Sequence, residues 1–184
     1  MKILFLIYDT FCEFEMALLA FVARKEKNEI VTASPDETPR VKGMGGLTVV
    51  ADVPLGSVRA GEYDALIIPG GDPDVLLDRD EVSGLIREFN NCGKLVGAIC
   101  AAPVHLARAG VLAGKRYTTS LRENRRGLFD WSRNTGEPVV VDGNIITGKG
   151  EAFVHFAFTV LEQLGAYQDI AHARLWRKEF GCTV

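Results

Sequence analysis

At 184 residues, 47% of them hydrophobic, the chain is long enough for one compact domain spanning residues 1–184 with a full core, and it leaves little length for a second. A formal net charge of −3, with basic residues dispersed apart from the cluster Arg122 to Arg126, excludes a broad cationic surface for nucleic acid. The apolar run Ile3 to Tyr8 is too short to cross a bilayer and lacks a secretory cleavage pattern, so a cytoplasmic protein without membrane contact is expected.

Strand-length apolar runs alternate with helix-period segments, the pattern of a parallel sheet covered on both faces. Lys2 to Tyr8 reads as the first strand. Phe14 to Lys25 follows as a helix whose apolar stripe is Phe14, Leu18, Phe21 and Val22. Glu29 to Ala33 is a second strand. Arg40 to Ala51, interrupted by Gly43, Gly45 and Gly46, predicts a short strand pair at the sheet edge. Asp64 to Ile68 is a buried strand closed by Pro69-Gly70-Gly71, and Asp80 to Cys92 is an amphipathic helix. Lys94 to Ile99 is nearly continuous apolar sequence and fits the centre of the sheet. Tyr117 to Ser120, Val139 to Val141 and Asn144 to Thr147 read as strands, the last two joined by the hairpin signal Asp142-Gly143. Glu151 to Leu164 and Tyr167 to Phe180 read as the closing helices.

The chemistry concentrates at Cys100, where the run Lys94 to Ile99 meets the small-residue segment Ala101-Ala102-Pro103. A buried strand turning sharply into a helix places the residue at the bend in a cleft, at the carboxyl end of the sheet where open α/β folds bind ligands. The helix start there favours a thiolate. At a free-thiol pKa of about 8.5 roughly 3% is ionised at pH 7, and a pKa of about 6 would make it roughly 90%. The alternative is a buried structural thiol, since free cysteine is among the most buried residue types. The remaining cysteines, Cys12, Cys92 and Cys182, form no C-x-x-C pair and have no histidine at zinc spacing. Neither a metal, a disulfide framework nor a cofactor is expected.

Three further elements carry weight. Gly70 and Gly71 close a central strand, and if that turn lies beside the elbow the N–H groups of Gly71 and Ala101 form an oxyanion pair. Glu15 opens the first helix. It is either ordinary dipole compensation or an acid facing Cys100, and in the second case it must carry a raised pKa and give a hydrogen bond to sulfur. His105, five residues beyond Cys100, turns away from the elbow tip, and neither His155 nor His172 is placed as its partner.

Taken in order, the acidic segment around Glu15, Asp64 to Gly71, Gly97-Ala98-Ile99-Cys100-Ala101-Ala102-Pro103, Gly110 to Lys115 with Thr118-Thr119-Ser120, and Asn144 to Gly150 resemble the ThiJ/PfpI family of the class I glutamine amidotransferase-like superfamily. The resemblance covers almost the whole chain. It implies a flavodoxin-like three-layer α/β sandwich, commonly a homodimer, with Cys100 as the reactive cysteine, Glu15 as its acid, and Gly71 and Ala101 as oxyanion donors. In that geometry the segment after Thr119 approaches the cysteine. Ser120 then lines the pocket and Arg122 binds an anionic substrate group, unless both belong to a surface loop. Gly70 and Asp72 stand on the same footing.

Two departures from the hydrolytic members matter. Peptidase-like members carry histidine directly after the cysteine, where this chain has Ala101, and others carry it at the position of Ser120. Without a positioned imidazole a base contribution of about 10² to 10⁴ in rate is missing, so proteolysis is not expected. The favoured reading is a small-molecule hydrolase, lyase or amidase-like enzyme. The alternatives are a cysteine-oxidation sensor or stress-protective protein without turnover, and a binding module on an inactive scaffold.

Overall fold

The computed structural model describes residues 1–36 and 38–182. Its elements in chain order are β1 (Lys2–Leu6), α1 (Glu13–Lys25), β2 (Glu29–Ser34), β3 (Arg40–Lys42), β4 (Thr48–Val50), β5 (Val53–Pro54), β6 (Ala65–Ile68), α2 (Asp74–Leu77), α3 (Asp80–Asn91), β7 (Leu95–Ile99), α4 (Pro103–Arg108), β8 (Val139–Asp142), β9 (Ile145–Gly148), α5 (Phe153–Leu164) and α6 (Ile170–Glu179).

Seven strands form one sheet in the order β5-β2-β1-β6-β7-β9-β8, parallel throughout except for β8, which runs antiparallel to β9. β6 and β7 are buried along their whole length, as strands covered on both faces must be. Helices α1 and α5 pack together on one face, and α2 and α3 pack with α4 on the other. Phe156 of α5 seats on the sheet where side chains are missing: a Cβ at Gly97 would lie 3.1 Å from its ring, and one at Gly148 2.9 Å. This is the three-layer flavodoxin-like sandwich expected from the sequence.

The departures from the sequence reading have local causes. On α1 the buried face is Glu15, Leu18, Leu19, Val22 and Ala23, while Phe14 and Phe21 are 54% and 47% exposed. Phe14 and Phe21 stand about 100° around the helix from Glu15 and Val22, and they pack edge-on against Phe153 and Trp176 instead. The pair β3–β4 makes a separate two-stranded sheet, and the edge of the main sheet on that side is β5. Its loop folds back over the start of α1, where Glu13 accepts the N–H groups of Gly45 at 2.9 Å and Leu47 at 3.2 Å. A Cβ at Gly43 would overlap the Glu13 carboxyl. Tyr117 to Ser120 is not a strand beyond one isolated bridge at Tyr117. Its polar groups are spent elsewhere: Thr118 N–H donates to Thr147 Oγ1, and Thr119 Oγ1 and Ser120 N–H both donate to the Cys100 carbonyl.

Helix α6 is held by one acid. Glu26, buried just past α1, accepts from Gln168 N–H at 2.8 Å, Trp176 Nε1 at 2.6 Å and His172 Nδ1 at 3.0 Å. Burial alone would raise its pKa, but these donors more than offset that and hold it below the ordinary carboxylate range.

Candidate active site around Cys100

The sheet order changes direction between β1 and β6, so the loops leaving the carboxyl ends of β1, β6, β7 and β9 converge on one crevice. They carry Thr10 to Glu15, Pro69 to Asp72, Cys100 to Ala102, and Lys149 to Gly150. Two non-glycine residues there, Thr10 (φ 75°) and Cys100 (φ 62°), adopt left-handed backbone, which costs of order 1–3 kcal/mol each and persists only when the surroundings enforce it. At Cys100 the enforcement is visible. Its N–H donates to Gly148 O at 2.8 Å, and its carbonyl accepts from Thr119 Oγ1 at 2.8 Å and Ser120 N–H at 2.9 Å.

Glu15 is 1% exposed and within hydrogen-bonding reach of the Cys100 thiol. Its Oε2 accepts Gly70 N–H at 2.6 Å. Burial raises its pKa above the ordinary carboxylate range, against the lowering pull of Gly70 N–H and the thiol, which is the direction the sequence reading requires. The thiol itself departs from that reading. Burial first, then the Glu15 charge, push Cys100 up to about 11, against the lowering effects of Ser120 and Ala101 N–H. The elbow helix α4 has six residues and starts only at Pro103, so its dipole is short and burial outweighs it. Removing both protons puts two negative charges side by side in a buried site. Moving one proton from sulfur to carboxylate leaves the pair's charge at −1 and escapes most of that cost.

The walls close on the pair at two glycines. A Cβ at Gly70 would sit 2.6 Å from Cys100 Cβ and 2.7 Å from Glu15 Oε2. At Gly150, absent from the sequence-derived site, it would sit 3.0 Å from Glu15 Oε1 and 3.1 Å from Cys100 Sγ. The signal available for Gly150 was its place after a strand adjacent to β7. Gly150 N–H donates to Ser120 Oγ at 2.9 Å, and Ser120 N–H donates to the Cys100 carbonyl at 2.9 Å. Ser120 therefore belongs to the site.

In the glycine turn, Gly70 N–H is taken by Glu15 and Asp72 N–H by Thr10 Oγ1, while Gly71 N–H donates to no group among the described residues. Ala101 N–H, next along the chain from Cys100, lowers the thiol's pKa and has no partner among the described residues' hydrogen bonds. Both fit the role of oxyanion donors. Asp72 is exposed, and its Oδ1 accepts Asp74 N–H at 3.0 Å, which makes it a turn residue that starts α2. Arg122 is exposed and forms no ion pair among the described residues, whereas Arg125 and Arg126 pair with Asp74 and Asp78 and tie the following loop to α2. No histidine hydrogen-bonds to Cys100 or Glu15 among the described residues. His105 is buried against the edge of Tyr8, His155 is exposed, and His172 serves Glu26. No cluster able to hold a metal occurs among the described residues.

A flavodoxin-like sandwich with a strained cysteine after a central parallel strand and a buried glutamate against it defines an elbow-cysteine α/β protein. The chain belongs to the DJ-1/PfpI family, whose pattern matches residues 1–163. It is 33% identical over 173 residues to Protein DJ-1alpha of Drosophila melanogaster, covering 89% of this chain and 79% of that one. It is 30% identical over 155 residues to a deglycase of Thermococcus kodakarensis, covering 81% and 90%. Among solved structures, a DJ-1 superfamily protein of Agrobacterium tumefaciens superposes with a TM-score of 0.84 at 31% identity, covering 97% and 98%. Oxidised DJ-1 of Toxoplasma gondii superposes with 0.85 at 25% identity, covering 100% and 99%.

Proposed function

We propose that this chain is a cysteine-dependent enzyme acting on small electrophilic molecules, with Cys100 as nucleophile and Glu15 as its proton acceptor. The observation that carries this reading is the buried Glu15 carboxyl set against the Cys100 thiol, with the backbones of Gly70 and Gly150 lying close against both. In the first step the thiol proton passes to the Glu15 carboxylate and Sγ bonds to an electrophilic carbon such as an aldehyde carbonyl. The carbonyl π pair moves to oxygen, where Gly71 N–H and Ala101 N–H receive it. Glu15 returns the proton as the adduct resolves. Relatives named deglycases, one of them a protein/nucleic acid deglycase, support an enzyme reading, and the absence of an imidazole by the cysteine weighs against proteolysis. The solved oxidised form of the Toxoplasma gondii relative favours a second reading, in which the same thiolate is converted by peroxide to sulfenic acid and signals oxidation without turnover.

Alkylation by iodoacetamide across pH, read at each cysteine by peptide mass spectrometry, tests the shared foundation. Cys100 should show two steps, the first set by Glu15 above the ordinary carboxylate range and the second near 11. Glu15→Gln should remove the first. One inflection at the same pH in both proteins would sink the proposal.

One continuous core running from Ile3 to Ala166 supports a single domain. For assembly, the exposed Phe14 of α1 and Met44 and Leu47 of the β3–β4 loop, joined through Glu13, offer an apolar face for a second copy of the chain. Sedimentation velocity should give a dimer for the wild type and a monomer for Leu47→Glu. A monomeric wild type would refute the pairing. No described helix is long and apolar enough to cross a membrane, and the cytoplasm is the proposed location.

A further inference from the structure

The glycine turn after β6 keeps Gly71 N–H free while every peptide unit around it is tied down. The Pro69–Gly70 unit is held by the Tyr8 hydroxyl, which donates to Pro69 O at 2.9 Å, and by Gly70 N–H, which donates to Glu15 Oε2 at 2.6 Å. In the Gly70–Gly71 unit, Gly70 O accepts Cys12 N–H at 2.8 Å. That unit is trans, so Gly71 N–H points to the side opposite Cys12 N. In the next unit, Asp72 N–H donates to Thr10 Oγ1 at 3.0 Å. A peptide between two glycines turns over at little steric cost, because neither residue has a Cβ to resist it. Here the resistance comes from Cys12 N–H on one side and the Thr10 hydroxyl on the other.

Thr10 is an unusual residue for its place. A β-branched side chain at positive φ is an outlier, yet Thr10 stands at 75°. Its N–H donates to Lys42 O at 2.7 Å, and Lys42 N–H donates to Asp9 Oδ1 at 2.8 Å, so β3 enforces the conformation from outside. The Thr10 carbonyl lies under the turn, where a Cβ at Gly71 would come within 2.6 Å of it. We propose that Thr10 is a positioning residue for the oxyanion site: its hydroxyl, by holding Asp72 N–H, fixes the Gly70–Gly71 peptide with Gly71 N–H turned to receive a substrate oxygen. The inference rests on the assignment of Gly71 N–H as an oxyanion donor in the proposed function.

Its consequence is selective. Addition of Cys100 sulfur to a carbonyl builds charge on oxygen and draws on Gly71 N–H, whereas displacement of iodide from iodoacetamide takes place at a tetrahedral carbon and does not. With p-nitrophenyl acetate as probe, the Cys100 thiolate forms the S–C bond while the carbonyl π pair moves to oxygen. The pair then returns as the C–O bond breaks, and p-nitrophenolate leaves with that bond's electrons. Nothing is oxidised or reduced.

Thr10→Ala and Thr10→Ser differ by one oxygen at the same backbone position, so the difference between them reads the hydroxyl. Losing an oxyanion donor outright costs about 10² to 10³ in rate, and freeing its peptide costs less. Thr10→Ala should therefore lower Cys100-dependent release of p-nitrophenolate, measured as the difference from Cys100→Ser, about ten- to hundredfold. Iodoacetamide alkylation of Cys100, followed by peptide mass spectrometry, should stay within about twofold, and Thr10→Ser should restore acylation to within about threefold of wild type. Should Thr10→Ala fail to fold, Thr10→Gly takes its place with the same expected loss, although glycine suits positive φ and relief of strain alone would predict none. Unchanged acylation in Thr10→Ala, a parallel fall in acylation and alkylation, or Thr10→Ser as slow as Thr10→Ala overturns the role of Thr10 and leaves Cys100 a nucleophile. A wild type without Cys100-dependent acylation removes the carbonyl-addition reading and the role of Thr10 with it.

Discussion

Gly70→Ala should cut the rate of Cys100 alkylation at neutral pH by about a hundredfold, a loss in line with an ångström-scale misplacement at a reacting centre. The new methyl carbon would stand 2.6 Å from Cys100 Cβ, 2.7 Å from Glu15 Oε2 and 3.1 Å from Sγ. Cys100 cannot retreat, because bonds from Thr119 and Ser120 and to Gly148 fix its strained backbone. Glu15 must therefore move and surrender Gly70 N–H, which leaves a buried carboxyl short of its closest donor. Overpacking of this kind typically costs about 1–3 kcal/mol of stability as well. Gly150→Ala is the graded control. Its nearest neighbours would be 3.0–3.3 Å away, so a few tenths of an ångström of adjustment suffice and a loss of about tenfold or less is expected. Alkylation kinetics with urea unfolding on the same samples check both, and a Gly70→Ala protein within threefold of wild type would show that the walls are not closed as described.

A second large effect belongs to acid stability. His105 is 2% exposed, its Nε2 has no hydrogen-bond partner among the described residues, and burial lowers its pKa from 6.5 to about 4. The folded pKa lies below the unfolded one, so between them the unfolded chain binds a proton that the folded chain refuses. Stability is therefore constant above about pH 6.5 and falls as pH drops towards 4. The shift corresponds to roughly 3 kcal/mol once both values are passed, and to about 2–3 kcal/mol at pH 4.5. His105→Leu removes the group. The difference in urea unfolding free energy between pH 7 and pH 4.5 should then shrink by about that amount relative to wild type. Equal losses in the two proteins would mean that His105 charges without penalty.

Much of the fold was legible because parallel strands buried on both faces need unbroken apolar runs. β1, β6 and β7 each appear as such, and the Asp142-Gly143 turn marks the one antiparallel pair in the main sheet. Cys100, Glu15, Gly70, Gly71 and Ala101 stand out in the sequence by their places after strands or at a helix start, and the fold brings them to one crevice, where their roles remain the proposal above. What escaped lies in long-range competition for hydrogen bonds. Tyr117 to Ser120 has strand composition, but the elbow carbonyl and Thr147 claim its polar groups. Phe14 and Phe21 are as apolar as Leu18 and Val22, and only the packing of α5 and α6 decides which side of α1 goes inward. The direction of the Cys100 shift was missed because a short-range feature, the helix start, is written in the sequence, whereas burial is not. By pattern alone Tyr8 is the last residue of a strand. Its hydroxyl finds Pro69 across 61 positions of chain, a separation that no local pattern encodes.

The Glu26 contact also changes where this molecule may be cut. The family pattern ends at residue 163, but the hydrogen bonding runs past it, because an acid inside that limit accepts from positions 168, 172 and 176 beyond it. A fragment trimmed there would strip Glu26 of these donors and uncover Phe21 and Phe158, whose rings pack against Trp176 and Phe180. The closing helix thus supplies the donors for an acid of the body it covers, and any fusion, truncation or permutation of this chain has to keep it.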